Sequence, residues 1–569
     1  MTFRLPLLAA FLSCSTSLLF AQTAPSSPNE PDEPDILRGL VLNSLTHEPV
    51  ARVLVYSPDN RFATLTDDRG RFQFTFAKPP QSPPANGQPI PQVRPYELWL
   101  RKPGFLSRDD QQRFPVPFSE HDLTLTIIPE ALIVGRVNLP PGANQATVEL
   151  FLRQFSENGE RWQSAGALTA RSNGEFRFSN LRAGDYKLFT HEITENDPLT
   201  FDPAKQFGFP PVYFPASSDF ASAAVIRLNA GQTFQATLAP SRHSYYPVKV
   251  RVLNASANGG GQLEVYPEAH PGPGYSLGYD PSTSLITGAL PDGVFTVKLS
   301  SFGPSPSSGE LSLTVGPAAP SPALMMLPNP SLIVRVKNEM QQSYGFGQSE
   351  QRSDTPSPPP SPAQAFLRYF QLQLIPDAAI EGGQAYQAAP PNDPQADFLI
   401  VSGVRPGRYR VRPNASLGYV AAVTSAGTDL LHKPLLLTAG ASIPQLEVTL
   451  RDDGAQITGE VQLNSQQFPH PAEWFRTTYQ SPGFLYFLPT SDSTGQFRQF
   501  WINSDSKFDV QQLPPGEYRV LAVAKVHPEL QFAAEESLRK LDSQAKLITV
   551  GPGEKLKLQL SLTPEEDLP

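Results

Sequence analysis

One arrangement of apolar residues recurs four times along the chain. An apolar residue is followed after two spacers by Leu or Val, and after two more by Gly. An aromatic and an aliphatic residue then occupy alternate positions. We call this arrangement the repeat phrase. Its copies are Phe178-Leu181-Gly184-Tyr186-Leu188, Thr287-Leu290-Gly293-Phe295-Val297 with a polar first residue, Val401-Val404-Gly407-Tyr409-Val411, and Val510-Leu513-Gly516-Tyr518-Val520. Such recurrence indicates an array of similar units.

Each copy of the repeat phrase predicts the end of one strand, a tight turn and the start of another strand. The glycine supplies backbone conformations that other residues rarely adopt. The alternation after it places the aromatic side chain on the buried face of the next strand. The 62 prolines and 39 glycines favour short strands joined by turns, and stay below the share typical of disordered chains. We therefore predict an all-β chain built as a tandem array of β-sandwiches.

At 569 residues the chain is too long for a single hydrophobic core. The predicted units are 36–130, 131–241, 242–328, 329–452 and 453–569. The fourth unit contains a Ser/Pro-rich tract at 354–362, which we expect to be an exposed, extended loop. The fifth contains one helix over 528–545, whose leucines fall on one face. Short connections between the units favour a semi-rigid rod.

The N-terminus has the pattern of a signal peptide over residues 1–21. Arg4 gives it a positive end, a mostly apolar stretch follows, and Ala21 precedes a plausible cleavage point. The apolar stretch is short for a membrane span, although an anchor is an alternative. Cys14, the one cysteine, lies in a poor match to a lipoprotein box, so lipidation is a second alternative. Residues 22–35 are predicted to be an acidic linker, and the protein to be secreted or located in the periplasm or cell envelope.

The first unit carries a motif of its own, in which a tight turn at Asp67-Asp68-Arg69-Gly70 leads into a strand with Phe72 and Phe74 on one face. Gly39-Leu40-Val41, Pro49-Val50, Tyr96-Glu97-Leu98-Trp99-Leu100 and Gly104-Phe105 complete the pattern. This unit resembles the carboxypeptidase regulatory-like family, a transthyretin-like β-sandwich. A Pro-rich insertion at about 78–95 interrupts the resemblance. The whole chain resembles multi-domain exported proteins of this type seen in Acidobacteria, and the fold class is thus an array of immunoglobulin- or transthyretin-like sandwiches.

In that family the domain accompanies a peptidase and does not itself cut peptides. His470 and Glu473 match a zinc-ligand pair by letter, but the later His527 has no supporting context, and we interpret the match as coincidence. Asp67-Asp68 and Asp452-Asp453 can ligate calcium at domain junctions, although hairpin turns are the favoured interpretation. We predict no catalytic residue, no metal and no cofactor. A net charge of −9 without a Lys/Arg cluster argues against a nucleic-acid partner.

Aromatic residues crowd into one stretch of the fifth unit: Trp474, Phe475, Tyr479, Phe484, Tyr486, Phe487, Phe497, Phe500 and Trp501. Alternation places Phe484 and Tyr486 on one strand face and Phe487 on the other, and one thin core cannot take both. Either the predicted helix covers the second face, or exposed rings there contact sugars or a partner surface. Trp474, Tyr479 and Trp501 are the candidate ligand-binding residues. A second aromatic group, Phe207, Phe209, Tyr213 and Phe214, is expected to pack between the second and third units.

These features predict a non-catalytic exported protein that acts as an envelope or extracellular scaffold or adhesive module. The alternative is a polysaccharide-binding protein that uses exposed aromatic residues of the last domain. The expected partner is accordingly a polysaccharide or a cell-surface protein. A hydrolase would need a convergent pair of carboxylates or a metal site, which spacing along the chain does not reveal.

Overall fold

The computed structural model describes residues 35–76, 94–107, 113–116, 121–139, 145–156, 159–195, 206–255, 260–303, 305–319, 322–341, 369–378, 380, 383–393, 395–440, 445–462, 483–491, 493–503, 505–564 and 568. Over these residues the chain is all β apart from one short helix and two 3-10 turns in the last sandwich, which confirms the predicted fold class. None of the helices in these ranges is long and apolar enough to cross a membrane.

The first sandwich has seven strands: β1 (Asp35–Asn43), β2 (Leu54–Tyr56), β3 (Ala63–Leu65), β4 (Arg71–Phe76), β5 (Glu97–Arg101), β6 (Arg113–Pro115) and β7 (Asp122–Ile127). They form sheets of order β4-β1-β7 and β3-β2-β5-β6. Leu37 and Phe72 from the first sheet meet Leu98 from the second in one core. β1 begins at Asp35, the last residue of the predicted acidic linker.

The next stretch contains nine strands: β8 (Ala131–Val137), β9 (Thr147–Ser156), β10 (Gly159–Thr169), β11 (Glu175–Leu181), β12 (Gly184–Thr190), β13 (Ile193–Thr194), β14 (Gln206–Phe209), β15 (Ile226–Leu228) and β16 (Thr233–Leu238). The second sandwich consists of sheets β11-β8-β16 and β10-β9-β12-β15. Ile133 and Leu150, one from each sheet, lie in its core. β13 and β14 belong to a sheet of the third sandwich.

The third sandwich adds eight strands: β17 (His243–Leu253), β18 (Gly261–Pro267), β19 (Gly278–Asp280), β20 (Leu285–Pro291), β21 (Gly293–Ser301), β22 (Ser307–Val315), β23 (Ala323–Met325) and β24 (Leu327–Pro328). One sheet has the order β13-β14-β17-β20-β19, with β23 also paired to β17. The other sheet is β18-β21-β22-β24. Val250 and Val297 bring the two sheets together in the core.

The fourth sandwich has nine strands: β25 (Leu332–Asn338), β26 (Phe370–Pro376), β27 (Tyr386–Gln387), β28 (Phe398–Val401), β29 (Gly407–Ala415), β30 (Tyr419–Ser425), β31 (Thr428–Asp429), β32 (Leu435–Leu437) and β33 (Leu446–Arg451). Its sheets are β28-β25-β33-β30-β31 and β27-β26-β29-β32. Val334 and Phe370 are fully buried between them. The predicted Ser/Pro loop at 354–362 lies outside the described residues.

The last sandwich has seven strands: β34 (Ala455–Gln462), β35 (Phe484–Pro489), β36 (Arg498–Trp501), β37 (Lys507–Leu513), β38 (Gly516–Val523), β39 (Lys546–Val550) and β40 (Lys555–Thr563). They are connected in the order β36-β35-β38-β40-β34-β37, with β39 also paired to β38. Ile457 and Leu485 lie in the core that these strands enclose. The helical segment follows β38.

That segment is not the continuous helix predicted over 528–545. It consists of a 3-10 turn at Pro528–Phe532, the helix α1 at Glu535–Arg539 and a second 3-10 turn at Lys540–Ser543. Ala533 and Ala534 interrupt it with extended ψ values of 141° and 146°. Short helices gain most of their stability from tertiary packing. Here the leucines reach the sheet without a regular helix, so their spacing predicted the buried face correctly and the continuity wrongly.

All five sandwiches share one strand arrangement, in which the opening strand lies between an antiparallel and a parallel partner. The triplets, each given as opening strand, antiparallel partner and parallel partner, are β1, β4, β7; β8, β11, β16; β17, β20, β23; β25, β28, β33; and β34, β37, β40. Parallel pairing requires a crossover connection. The strands of the crossover build the opposite side of each sandwich.

The repeat phrase lies at this crossover in the last four sandwiches. Its glycine is the first residue of β12, β21, β29 and β38. The φ angle of this glycine lies between 148° and 158° in all four copies, a region that side chains disfavour. The phrase thus takes the chain from the antiparallel partner of the opening strand into the opposite side, as the predicted strand-turn-strand pattern requires.

In three copies the aromatic residue of the repeat phrase also forms a hydrogen bond to the backbone. The hydroxyls of Tyr186, Tyr409 and Tyr518 each donate to the backbone carbonyl four residues earlier, at 2.9, 2.9 and 2.7 Å. Similar bonds from a buried tyrosine to upstream backbone occur at the corners of other β-sandwiches. In the third sandwich this position is Phe295, which has no hydroxyl. Three of the four turns are therefore fastened by the same contact.

Contacts between sandwiches are not confined to chain neighbours. The β9–β10 hairpin of the second sandwich reaches the fourth, where the guanidinium of Arg161 donates to the Pro376 carbonyl and Trp162 forms an isolated bridge with Ile380. Arg410 of the fourth lies 5.7 Å from the ring of Phe532 in the fifth. The expected semi-rigid rod is therefore wrong, because aromatic side chains on the outer face of the hairpin bury themselves against a later sandwich.

Candidate functional site

Trp501 is the one candidate ligand-binding residue that the described part of the chain includes. It ends β36, the edge strand of the last sandwich, and is 67% exposed. Its strand partner is Phe484, whose ring centroid lies 4.6 Å from that of Trp501. Because Phe484 is itself buried, it forms a fixed base under the tryptophan. The ring of Trp501 is the member of the pair that is exposed to solvent.

The rest of this sheet face is covered. Leu530, Leu538 and Leu541 from the helical segment join Phe484 and Tyr486 in a small hydrophobic cluster. The opposite strand face, with Leu485 and Phe487, enters the main core. The two interpretations of the aromatic stretch therefore each apply to part of it: the helical segment covers the middle of the face, and the ring at the edge stays exposed.

A buried arginine fastens the helical segment to the sheet that it covers. Arg519 of β38 is 5% exposed, and its guanidinium donates to Asp542 at 2.5 Å and to Glu535 at 2.7 Å. The hydrogen bond from Arg519 lowers the pKa of Glu535. The sequence analysis did not single out Arg519. The available signal was a lone charge inside the apolar run of β38, where a buried cation requires partners.

The residues paired across the strands at the end of the sheet that contains Trp501 are apolar. Trp501 pairs with Phe484, which pairs with Val523, and the half-exposed Val526 follows three residues later. Tyr486 fixes the intervening chain, because its hydroxyl accepts the amide of His527 at 2.8 Å. A flat ring on a rigid base can stack on the apolar face of a sugar or on a partner's side chain.

Several candidates from the sequence lie outside the described residues: Trp474, Tyr479, His470 and Glu473. Of these, Trp474 and Tyr479 stay predictions. The chain enters β35 directly after this stretch, at the strand that pairs with Trp501.

The aspartate pairs considered for calcium are held by protein groups. One carboxylate oxygen of Asp67 accepts the amides of Arg69 and Arg71 at 2.9 and 2.8 Å, as in a hairpin turn. Those bonds, chiefly the one from Arg71, lower the pKa of Asp67. Asp453 accepts the hydroxyl of Tyr419 at 2.9 Å. Within the described ranges no three His, Cys, Asp or Glu side chains converge as metal ligands.

The aromatic group at 207–214 packs at the boundary of the second and third sandwiches, as predicted. Phe209 is completely buried, and the hydroxyl of Tyr213 donates to the Pro273 carbonyl at 2.5 Å. The guanidinium of Arg242 lies 3.6 Å from the ring centroid of Phe207. This boundary is further closed by the pairing of β14 with β17.

The same boundary contains a buried carboxyl that the sequence analysis missed. Glu192 accepts the amide and the hydroxyl of Ser276 at 2.7 and 2.9 Å. Burial raises the pKa of Glu192 to about 7, against the opposing effect of these hydrogen bonds. Tyr245 and Tyr275 lie close by, and burial raises the pKa of both. Nothing in the local sequence distinguishes this glutamate from an exposed one.

No protein-family model matches the chain, and no curated protein matches it significantly. Among solved structures, it is similar to a streptococcal ancillary pilin, with 12% identity and a TM-score of 0.16 over 52% of this chain and 100% of that one. It is also similar to the Bacillus anthracis TIE protein, with 9% identity and a TM-score of 0.14 over 76% and 74% of the two chains. The minor pilin GBS52 of Streptococcus agalactiae has 16% identity and a TM-score of 0.17 over 36% and 94%. Because these TM-scores are low, the assignment of the β-sandwich architecture rests on the strand pairing of this chain and not on these similarities.

Proposed function

We propose that the protein is a non-catalytic, exported scaffold and adhesive module of the cell envelope or extracellular space. One observation carries the proposal: the sandwiches are joined by direct contacts into a continuous body. β14, in the segment that follows β12 of the second sandwich, pairs with β17 in a sheet of the third, and Tyr419 of the fourth bonds to Asp453 of the fifth. Such joints resist bending, which a scaffold that holds a surface in place requires.

The first sandwich is, in this proposal, a carboxypeptidase regulatory-like domain, and residues 1–21 direct export. The turn at Asp67 and the burial of Phe72 and Phe74 support the first point. The division into five units at the predicted boundaries belongs to the same proposal, and the shared strand arrangement supports it.

An adhesion assay tests this function. Beads coated with residues 22–569 should be retained on isolated bacterial envelopes under flow, whereas beads coated with the heat-unfolded chain should not. The same preparation should release no product from peptide or glycan mixtures. Equal retention of both bead types would contradict adhesion, and product formation that follows the purified protein would contradict a non-catalytic role.

A second candidate function, polysaccharide binding, is favoured by the exposed ring of Trp501 on its buried base. Trp474 and Tyr479 precede the same strand in sequence and are proposed to extend the surface. A pair of aromatic side chains contributes about 0.5–1.5 kcal/mol beyond area burial, and we expect stacking of one ring on a sugar to be no stronger. A single exposed tryptophan therefore gives weak binding that repeated sugar units can strengthen.

We would measure binding of residues 22–569 to insoluble neutral polysaccharides and compare Trp501→Ala with Tyr96→Ala. Tyr96 is an exposed aromatic residue of the first sandwich and serves as the matched control. Loss of binding in Trp501→Ala alone, at an unchanged melting temperature, would support the sugar site. Binding that is absent, or equally reduced in both variants, would exclude it.

A further inference from the structure

A groove of about 790 Å³ crosses the β11-β8-β16 sheet of the second sandwich. Its lining contains three arginines, Arg136, Arg171 and Arg177, and one acidic residue, Glu175. The whole chain has a net charge of −9, so this groove concentrates charge opposite to that of the molecule. Concentrated charge of one sign in a concave surface attracts ligands of the other sign.

Strand register fixes the spacing of two of these arginines. Arg136 on β8 lies opposite Glu175 on β11, and Arg177 lies opposite Val134. Arg136 and Arg177 are therefore diagonal neighbours on the exposed face, a relation that separates residues by about 7–8 Å. The short strands hold them in this relation before any ligand binds.

The guanidinium groups are available to a ligand. Nε of Arg136 donates to the Asn173 carbonyl at 3.1 Å, which orients the side chain and leaves its terminal nitrogens for other acceptors. Arg177 makes no hydrogen bond or ion pair with the described part of the chain. Arg171 is 81% exposed and only 3.9 Å from Glu175 at the rim. Planar guanidinium groups bind carboxylates through two parallel hydrogen bonds.

The remaining lining suits a sugar. Val134 gives the floor an apolar strip, while Gln235 and Thr237 on β16 expose an amide and a hydroxyl. The ring of Phe176 is directed into the core, so it is not a platform for nucleic-acid bases.

We propose that this groove binds a carboxylated polysaccharide, with Arg136 and Arg177 as paired carboxylate ligands and Gln235 and Thr237 as partners of sugar hydroxyls. The site lies three sandwiches away from Trp501 in sequence and does not depend on it. It adds a specific ligand class to the surface of the molecule.

The corresponding sheet of the first sandwich supplies a matched control. Arg38 on β1 and Arg71 on β4 are also diagonal neighbours on one sheet face, although across the opposite diagonal, because Arg38 lies opposite Gln73 and Leu40 opposite Arg71. There, however, Asp122 lies beside Arg38 on the parallel strand, where the second sandwich has Thr237 beside Arg136. The double variant Arg38→Gln/Arg71→Gln removes the same charge without touching the groove.

Binding of residues 22–569 to polygalacturonate should be measured by calorimetry at low and moderate salt, with dextran as the neutral polymer. We expect binding to polygalacturonate only, weakened about tenfold or more by Arg136→Gln/Arg177→Gln. It should stay unchanged in Arg38→Gln/Arg71→Gln and in Trp501→Ala. Absence of binding, equal losses in the two arginine double variants, or equally tight binding of a DNA oligonucleotide would overturn the proposal. Unchanged melting of all variants shows that folding is not the cause.

Discussion

The tyrosine of the repeat phrase shows how a single side chain defines a turn. Its ring fills the core, and its hydroxyl returns to the chain before the strand begins. At Tyr518 the hydroxyl donates to the Pro514 carbonyl and also accepts the amide of Gln496 at 3.1 Å. At Tyr186 the hydroxyl donates to the Arg182 carbonyl at 2.9 Å. The same residue type therefore fastens the turn of the repeat phrase in both sandwiches, and in the last sandwich it also holds the segment at Gln496.

We predict that Tyr518→Phe destabilises the last sandwich by about 1–3 kcal/mol, because it removes the partner of the buried Pro514 carbonyl and of the partly buried Gln496 amide. Tyr186→Phe should cost about 1 kcal/mol in the second sandwich, since it removes the hydrogen bond to the Arg182 carbonyl. Hydrogen exchange of the full chain would resolve the two regions. Equal protection losses around β38 and β12, or none at β38, would contradict this account.

The sequence predicted these turns because glycine, aromatic residue and alternation are local features. It predicted for the same reason that Phe484 and Phe487 lie on opposite strand faces. It did not predict the hydroxyl bonds or the role of Arg519, since both depend on groups that only the folded chain brings together. The sequence also did not decide whether Trp501 is exposed. The helical segment covers the neighbouring strands of this sheet face but does not extend over β36, the strand that contains Trp501.

At the scale of elements, the segment after β12 joins the second sandwich to the third. The amide of Glu192 donates to the Gly274 carbonyl at 2.9 Å, and its carboxyl accepts from Ser276. Tyr245 on β17 and Tyr275 in the loop face this carboxyl, and His191 precedes it. His191 is itself bonded to Glu149 at 2.7 Å. The joint thus contains a carboxyl that burial keeps protonated at pH values where free glutamate is ionised.

From this carboxyl we predict that the joint between the second and third sandwiches weakens as pH rises. The folded pKa of about 7 exceeds the ordinary glutamate value of 4.5, so the folded state binds the proton more tightly. Stability from this group is complete below pH 4.5, falls as pH rises to about 7, and is constant above. One pKa unit corresponds to about 1.4 kcal/mol, which sets the total at a few kcal/mol.

Hydrogen exchange of residues 270–276 between pH 4.5 and 8, corrected for the intrinsic rate, would measure this loss. Glu192→Gln should remove the pH dependence, because the amide stays neutral and its oxygen still accepts from Ser276. Glu149→Gln is the control. Burial acts to raise the pKa of Glu149, but the hydrogen bond from His191 opposes burial and the pKa is lowered. The stability that this carboxylate contributes is therefore lost as pH falls. A Glu192→Gln variant that keeps the wild-type pH profile would refute this role.

The arrangement of the sandwiches depends on contacts that the alternation of apolar and polar residues along the strands does not predict. Phe151, Trp162, Phe189, Tyr213 and Phe220 form an aromatic cluster on the outer face of the second sandwich, and Ile380 of the fourth packs against it. A strand pattern identifies such a face as apolar, but not which later segment will cover it. The expected rod followed from short linkers alone. The folded-back arrangement follows from burying this face, which outweighs the loss of freedom between sandwiches.

We predict that Ile380→Lys separates the fourth sandwich from the second. The amino group of Lys187 already lies 5.0 Å from the Trp162 ring, so a second cation there is both desolvated and repelled. Ile333→Lys, at a partly exposed isoleucine of β25, is the matched control. Small-angle scattering should show a larger radius of gyration for Ile380→Lys only, with melting of the fourth sandwich retained because Ile380 lies outside its core. Scattering identical to that of Ile333→Lys would mean that the aromatic cluster does not hold the two sandwiches together.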